Sequence, residues 1–117
     1  MRVSQKKLNS SLENQITKTL AQTVSDFKDM DEMTIFLKDF FNQTELETFV
    51  KRLAVAYWLK KGRSWKNIKE NLKVSSATIS TIHTQMEKPG FALALKKTEA
   101  EEWANIWAEK IQKFVRK

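Results

Sequence analysis

The chain is 117 residues long, carries a formal net charge of +7, and contains no cysteine, 2 glycines and 1 proline. Without cysteine there are no disulfides, thiolate metal ligands or cysteine nucleophiles, and so little glycine and proline favours long helices over strands and hairpins. No apolar run approaches the roughly 20 residues that cross a bilayer, and the basic start Met1-Arg2-Val3-Ser4-Gln5-Lys6-Lys7 lacks the apolar core of a signal peptide, so no membrane partner and a cytoplasmic location are expected.

Taken in chain order, residues 1–9 read as a basic tail. Ser10 stands three residues before Glu13, the spacing of a capping box, and Leu12, Ile16, Leu20 and Val24 follow every fourth residue, which predicts a helix over 10–25. A second helix is expected from Asp29, with Met33, Phe36, Leu37, Phe40 and Phe41 forming an aromatic stripe read as core. Thr44 and Glu47 suggest another capping box, opening a third helix that turns Leu46, Phe49, Val50, Leu53, Ala54 and Tyr57 inward. Lys60-Lys61-Gly62 then closes it with cations at the dipole's negative end and a glycine suited to a left-handed cap.

Beyond Gly62, Ser64 is expected to cap a short helix carrying Trp65, Ile68 and Leu72, and Ser75 to cap another with Ile79, Ile82 and Met86 inward. Lys88-Pro89-Gly90 is read as a stop, followed by an irregular stretch. Thr98 and Glu101 then look like a further capping box, beginning a last amphipathic helix with Trp103, Ile106, Trp107, Ile111, Phe114 and Val115. The expected fold is all-α: a single-domain bundle of about six helices, with the helix-turn-helix domain over 10–95 and the last, C-terminal helix in 96–117 packed on that domain or on a dimer partner. An apolar stripe as long as that of the last helix is more than a small monomer easily covers.

Ser64 to Met86 has the pattern of a helix-turn-helix. Apolar residues fall at 68, 72, 74, 79 and 82, so the two helices close on each other with Val74 plugging the turn. The outward face of the second helix is then Ser76, Ala77, Ser80, Thr81 and Thr84, small enough for a major groove about 12 Å wide. Lys60, Lys61, Arg63, Lys66, Lys69 and Lys73 surround it, opposed in that stretch by Glu70 alone. Slim readers inside a cationic collar are what base readout with phosphate anchoring requires, and Ser75 and Thr78 at the helix start join the phosphate-facing group. Double-stranded DNA is therefore the expected partner. A protein-interaction module of the same fold and a non-specific or RNA-binding basic protein remain as alternatives. Two positions depart from common helix-turn-helix sequences, which carry Ala where Lys69 stands and Gly where Lys73 stands.

Over roughly residues 20–95 the chain resembles the Trp repressor family, and within it the shorter bacterial YerC/YecD-like branch. The resemblance rests on Thr44-Glu45-Leu46-Glu47, Lys51-Arg52-Leu53-Ala54-Val55-Ala56, Leu59-Lys60-Lys61-Gly62-Arg63-Ser64 and Ser75-Ser76-Ala77-Thr78-Ile79-Ser80. It implies an all-helical homodimer with intertwined N-terminal helices, acting as a transcriptional regulator on a near-palindromic operator. By position, it puts Ser76, Ala77 and Ser80 on bases and Thr78, Lys66 and Lys69 on the DNA backbone, a lysine at the position of Lys69 being a family feature. The family's amino-acid corepressor lies between two arginines. Arg52 matches the first and Thr81 replaces the second, so an effector pocket at Arg52 and Thr81 lacks the guanidinium that would complete the sandwich, which argues against L-tryptophan. A packing or ion-pairing role suits Arg52 better.

No enzyme is expected. His83 is the only histidine, which rules out a histidine-based zinc site, and it is expected to be structural or phosphate-facing. Asp29, Asp31 and Glu32, like Glu99, Glu101 and Glu102, sit at expected helix starts, where carboxylates complement the macrodipole. There is no glycine-rich phosphate loop, and no cofactor or metal is expected.

Overall fold

Helix α1 spans Ser10–Asp26 and is capped one residue earlier than expected. The side-chain oxygen of Asn9 accepts from the backbone N–H groups of Ser11 at 2.9 Å and Leu12 at 3.4 Å, so Ser10 is the first helical residue and not the cap. Asparagine competes on equal terms with serine for this position, and here Asn9 takes it. Helix α2, Met30–Phe40, begins as expected from Asp29, whose carboxylate accepts from Asp31 N–H at 3.0 Å. The computed structural model describes residues 8–100, 106 and 109–113, and the chain divides between Gln43 and Thr44 into two compact units.

The first unit has no closed core. The phenylalanines of the expected stripe do meet: Phe36 lies 5.0 Å from Phe27 and 4.9 Å from Phe40, ring centre to centre, and Phe41 packs edge-on against both Phe36 and Phe40. Yet no residue of α1 or α2 is buried, Phe40 is 61% exposed, and Leu12, Ile16, Leu20 and Val24 are 38–50% exposed. The expectation of a core stripe is thus corrected to an aromatic cluster open to solvent within one chain. Two helices of this length cannot enclose their own apolar faces.

Helix α3, which but for its first residue belongs to the second unit, runs Gln43–Lys60, so Thr44 is inside the helix and does not cap it. Five consecutive residues, Ala54 to Trp58, are buried, which means this half of α3 is covered on every side. Sequence periodicity pointed to a single inward face and so missed Val55, Ala56 and Trp58, while Phe49 and Val50, expected inside, are exposed. The helix ends in a Schellman motif: Arg63 N–H donates to Trp58 C=O at 3.1 Å and Gly62 N–H to Leu59 C=O at 3.0 Å. Gly62 adopts φ +80°, the left-handed conformation that glycine tolerates without steric penalty.

Helices α4 (Trp65–Leu72) and α5 (Ser76–Gln85) follow, capped by Ser64 and Ser75 as expected; each hydroxyl accepts an N–H three residues on, at 3.1 Å. Ile68, Leu72, Ile79 and Ile82 are buried and Val74 packs at the edge of the same core, which Trp58, Tyr57 and Leu95 complete. The two helices therefore cross as a helix-turn-helix. Helix α6 departs from expectation. It spans Pro89–Ala100, with Lys88 C=O accepting from Ala92 N–H at 3.1 Å, so Pro89 starts a helix instead of preceding an irregular stretch. Proline's fixed φ and missing donor suit the first helical position. Thr98 is accordingly no cap but a buried residue inside α6, its hydroxyl donating to Ala94 C=O at 2.8 Å, and α6 crosses the boundary expected at 95/96. Residues 109–113 include helical positions, with Ile111 against the core, whereas Ile106 is exposed. Trp103, Trp107, Phe114 and Val115 lie outside the described residues.

Candidate nucleic-acid interface

Burial of Ile79 and Ile82 fixes which way α5 faces. Ser76, Ala77, Ser80, Thr81 and Thr84 all come out exposed, as the spacing predicted. Thr81 and Thr84 donate their hydroxyl protons back to the carbonyls of Ala77 and Ser80, at 3.0 and 3.1 Å. Each oxygen keeps lone pairs on the outer surface, where it can accept from a base amino group in the major groove. At the start of α5 the hydroxyls of Ser75 and Thr78 lie 3.0 Å apart, both on exposed residues at the helix N-terminus, a geometry that suits a phosphate oxygen.

The expected cationic collar divides in two. Lys66 and Lys69 on α4 and Lys73 in the turn are exposed around the motif. The three at the end of α3 are engaged with the protein itself. Lys60 forms an ion pair with Glu99 of α6 at 3.3 Å, Lys61 lies 5.3 Å from the Tyr57 ring centre, and Arg63 stacks 4.5 Å from that of Trp58. Glu99, expected at a helix start, is instead in the last turn of α6. Lys73 takes φ 56°, ψ 50°, a left-handed conformation, which explains why common helix-turn-helix sequences place glycine there. His83 is exposed, with its ring 6.0 Å from that of Trp65, so the pair flanks the open ends of the two crossed helices.

Arg52 and Thr81 line one open cleft of about 540 Å³ between α3 and α5, together with Lys51, Lys73, Thr78 and Ile82. Arg52 is exposed, its guanidinium 5.4 Å from the Phe49 ring, and it also borders an apolar groove of about 450 Å³ formed with Leu53, Phe91 and Ala94. Lys51 was not singled out from the sequence. Its ammonium lies 3.0 Å from the Glu47 carboxylate and donates to Lys73 C=O at 3.2 Å. The i,i+4 spacing of Glu47 and Lys51 was a visible signal, but the bond to the turn joins residues too far apart in sequence for any local pattern to reveal.

Among the described residues, no group of three or more His, Asp or Glu side chains is placed to hold a metal ion, and no helix is long and apolar enough to cross a membrane. The family model described as Trp repressor protein matches residues 15–99. No curated protein and no solved structure matches the chain. The matched span takes in most of α1, all of α2 to α5 and nearly all of α6, and with it the crossed pair α4–α5. Helical throughout its described elements, with a helix-turn-helix whose slim second helix faces outward, this chain belongs to the Trp repressor family of helix-turn-helix, DNA-binding transcription regulators.

Proposed function

We propose that this protein is a homodimeric, sequence-specific regulator of repressor type that binds a near-palindromic operator in double-stranded DNA, with no catalytic activity, in the cytoplasm of a bacterium. The observation that carries the reading is the exposed hydroxyl-bearing face of α5 beside Lys66, Lys69 and Lys73. In this reading Ser76, Ala77, Ser80, Thr81 and Thr84 address base edges. Ser75, Thr78, Lys66, Lys69 and Lys73 hold the phosphates. Lys60, Lys61 and Arg63 serve mainly to finish α3. The similarity of the Lys51–Ala56 and Ser75–Ser80 strings to the YerC/YecD-like branch supports placing the chain there.

Dimerisation is supported by the first unit, whose α1 stripe and Phe40 remain open in a single chain. Faces of that kind are the ones that symmetric partners bury, and a two-fold dimer would set two α5 helices about 34 Å apart, one turn of DNA. Thr81 at the cleft removes the second guanidinium that would sandwich an indole, so L-tryptophan is not the proposed effector.

Selection from a random duplex library with purified protein tests the reading. Enrichment of a two-fold symmetric motif is expected, together with a dimer by sedimentation. No enriched motif would overturn it in favour of a non-specific or RNA-binding protein, and capture of a protein partner with size-exclusion behaviour indifferent to duplex DNA would overturn it in favour of an interaction module.

A further inference from the structure

The turn between α4 and α5 is attached to the rest of the molecule in two ways. On its apolar side, Val74 packs against the core. On its polar side, Lys51 of α3 donates from its ammonium to the carbonyl of Lys73 at 3.2 Å, while Glu47, one helical turn earlier, holds the same ammonium at 3.0 Å. Lys73 is the residue of this turn in left-handed conformation, and its carbonyl belongs to the C-terminal end of α4, where helix carbonyls lack intrahelical partners and the dipole is negative. A cation is the partner such a carbonyl favours most. The Lys51 side chain is one-third exposed, against 58% for Glu47, and its ammonium has both a carboxylate and a carbonyl partner within the fold.

We propose that Lys51 is a positioning residue for DNA reading: held by Glu47, it clamps the Lys73 carbonyl and thereby sets the direction in which α5 leaves the turn. Ser75, the cap of α5, follows two residues after the clamped carbonyl, so a shift of that peptide is passed straight to Ser76, Ala77 and Ser80. The inference rests on α5 being the reading helix. Lys51 then acts through the backbone of Lys73 and touches no DNA, although it lines the same cleft as Lys73.

Glu47→Gln separates the two roles by sign. Were Lys51 a phosphate ligand, releasing it from Glu47 would tighten binding, because a competing carboxylate is gone. For a clamp, Glu47→Gln loosens the ammonium and weakens binding to the selected sequence, by about two- to threefold. Lys51→Met is expected to weaken it about five- to tenfold, with the slope of log affinity against log salt unchanged, and Lys51→Arg, which keeps the charged donor, recovers most of the loss. A phosphate-binding lysine would instead lower that slope by about one. Hydrogen exchange without DNA supplies a readout independent of recognition. The Thr78 and Ile79 amides, bonded to Ser75 Oγ and Ser75 C=O, are expected to exchange several-fold faster in Lys51→Met and at the native rate in Lys51→Arg. Unchanged exchange in Lys51→Met, or tighter binding by Glu47→Gln, overturns the clamp. Faster exchange in a protein that selects no DNA sequence would uphold the clamp and refute α5 as a reader.

Discussion

The guanidinium of Arg63 lies 4.5 Å from the ring centre of Trp58, a side chain 1% exposed, and the same two residues share a backbone hydrogen bond of 3.1 Å. The residue three positions beyond the end of α3 thus covers the last buried residue of that helix, with Gly62 making the left-handed turn between them. In the Schellman arrangement that place usually holds an apolar residue. Here the flat face of an arginine fills it, while its charge stays at the edge of the core.

Arg63→Ala is therefore expected to lower stability by about 1 kcal/mol, the scale of a partly exposed cation–π contact plus lost packing. Its effect on the salt dependence of DNA binding should be small. Urea denaturation and a salt series of binding isotherms check both; a stability change near zero with a slope reduced by one would restore Arg63 to the phosphate contacts.

Lys73→Gly is expected to move stability and DNA binding in opposite directions. A non-glycine residue at φ 56° is strained by roughly 1 kcal/mol, part of which glycine gives back through greater freedom in the unfolded chain. The variant should gain about 0.5 kcal/mol in thermal or urea denaturation. It should also lose one unit of salt slope, because the side chain that would meet a phosphate is gone.

Ile68 is fully buried between the crossed helices. Ile68→Ala leaves a cavity in a core that holds both arms of the motif, so a loss of about 2–5 kcal/mol is expected, measured by denaturation. Loss of DNA binding should follow unfolding and return at lower temperature.

Lys66→Ala and Lys69→Ala are each expected to weaken binding to all sequences alike and to reduce the salt slope by about one. Ser80→Ala should leave the slope alone and change preference at one base pair of the selected motif, by about 1–3 kcal/mol. Competition assays against single-base variants of the motif distinguish the two outcomes.

Much of this architecture follows from the order of residues. The apolar positions 68, 72, 74, 79 and 82 close two helices on each other, Asp29, Ser64 and Ser75 start helices, and Gly62 ends one, because each signal acts within a single turn of chain. The outward face of α5 was legible for the same reason: a helix buried along one side has its other side determined. Tertiary structure decided what local spacing leaves degenerate. Pro89 opened α6 although a proline serves equally to stop a helix, and Thr98 turned into the core. It also placed Lys60 on Glu99, Arg63 on Trp58 and Lys51 on the Lys73 carbonyl. A lysine's sequence neighbourhood says that it is charged; only the packing of distant helices says whether that charge meets solvent, a carboxylate or a carbonyl.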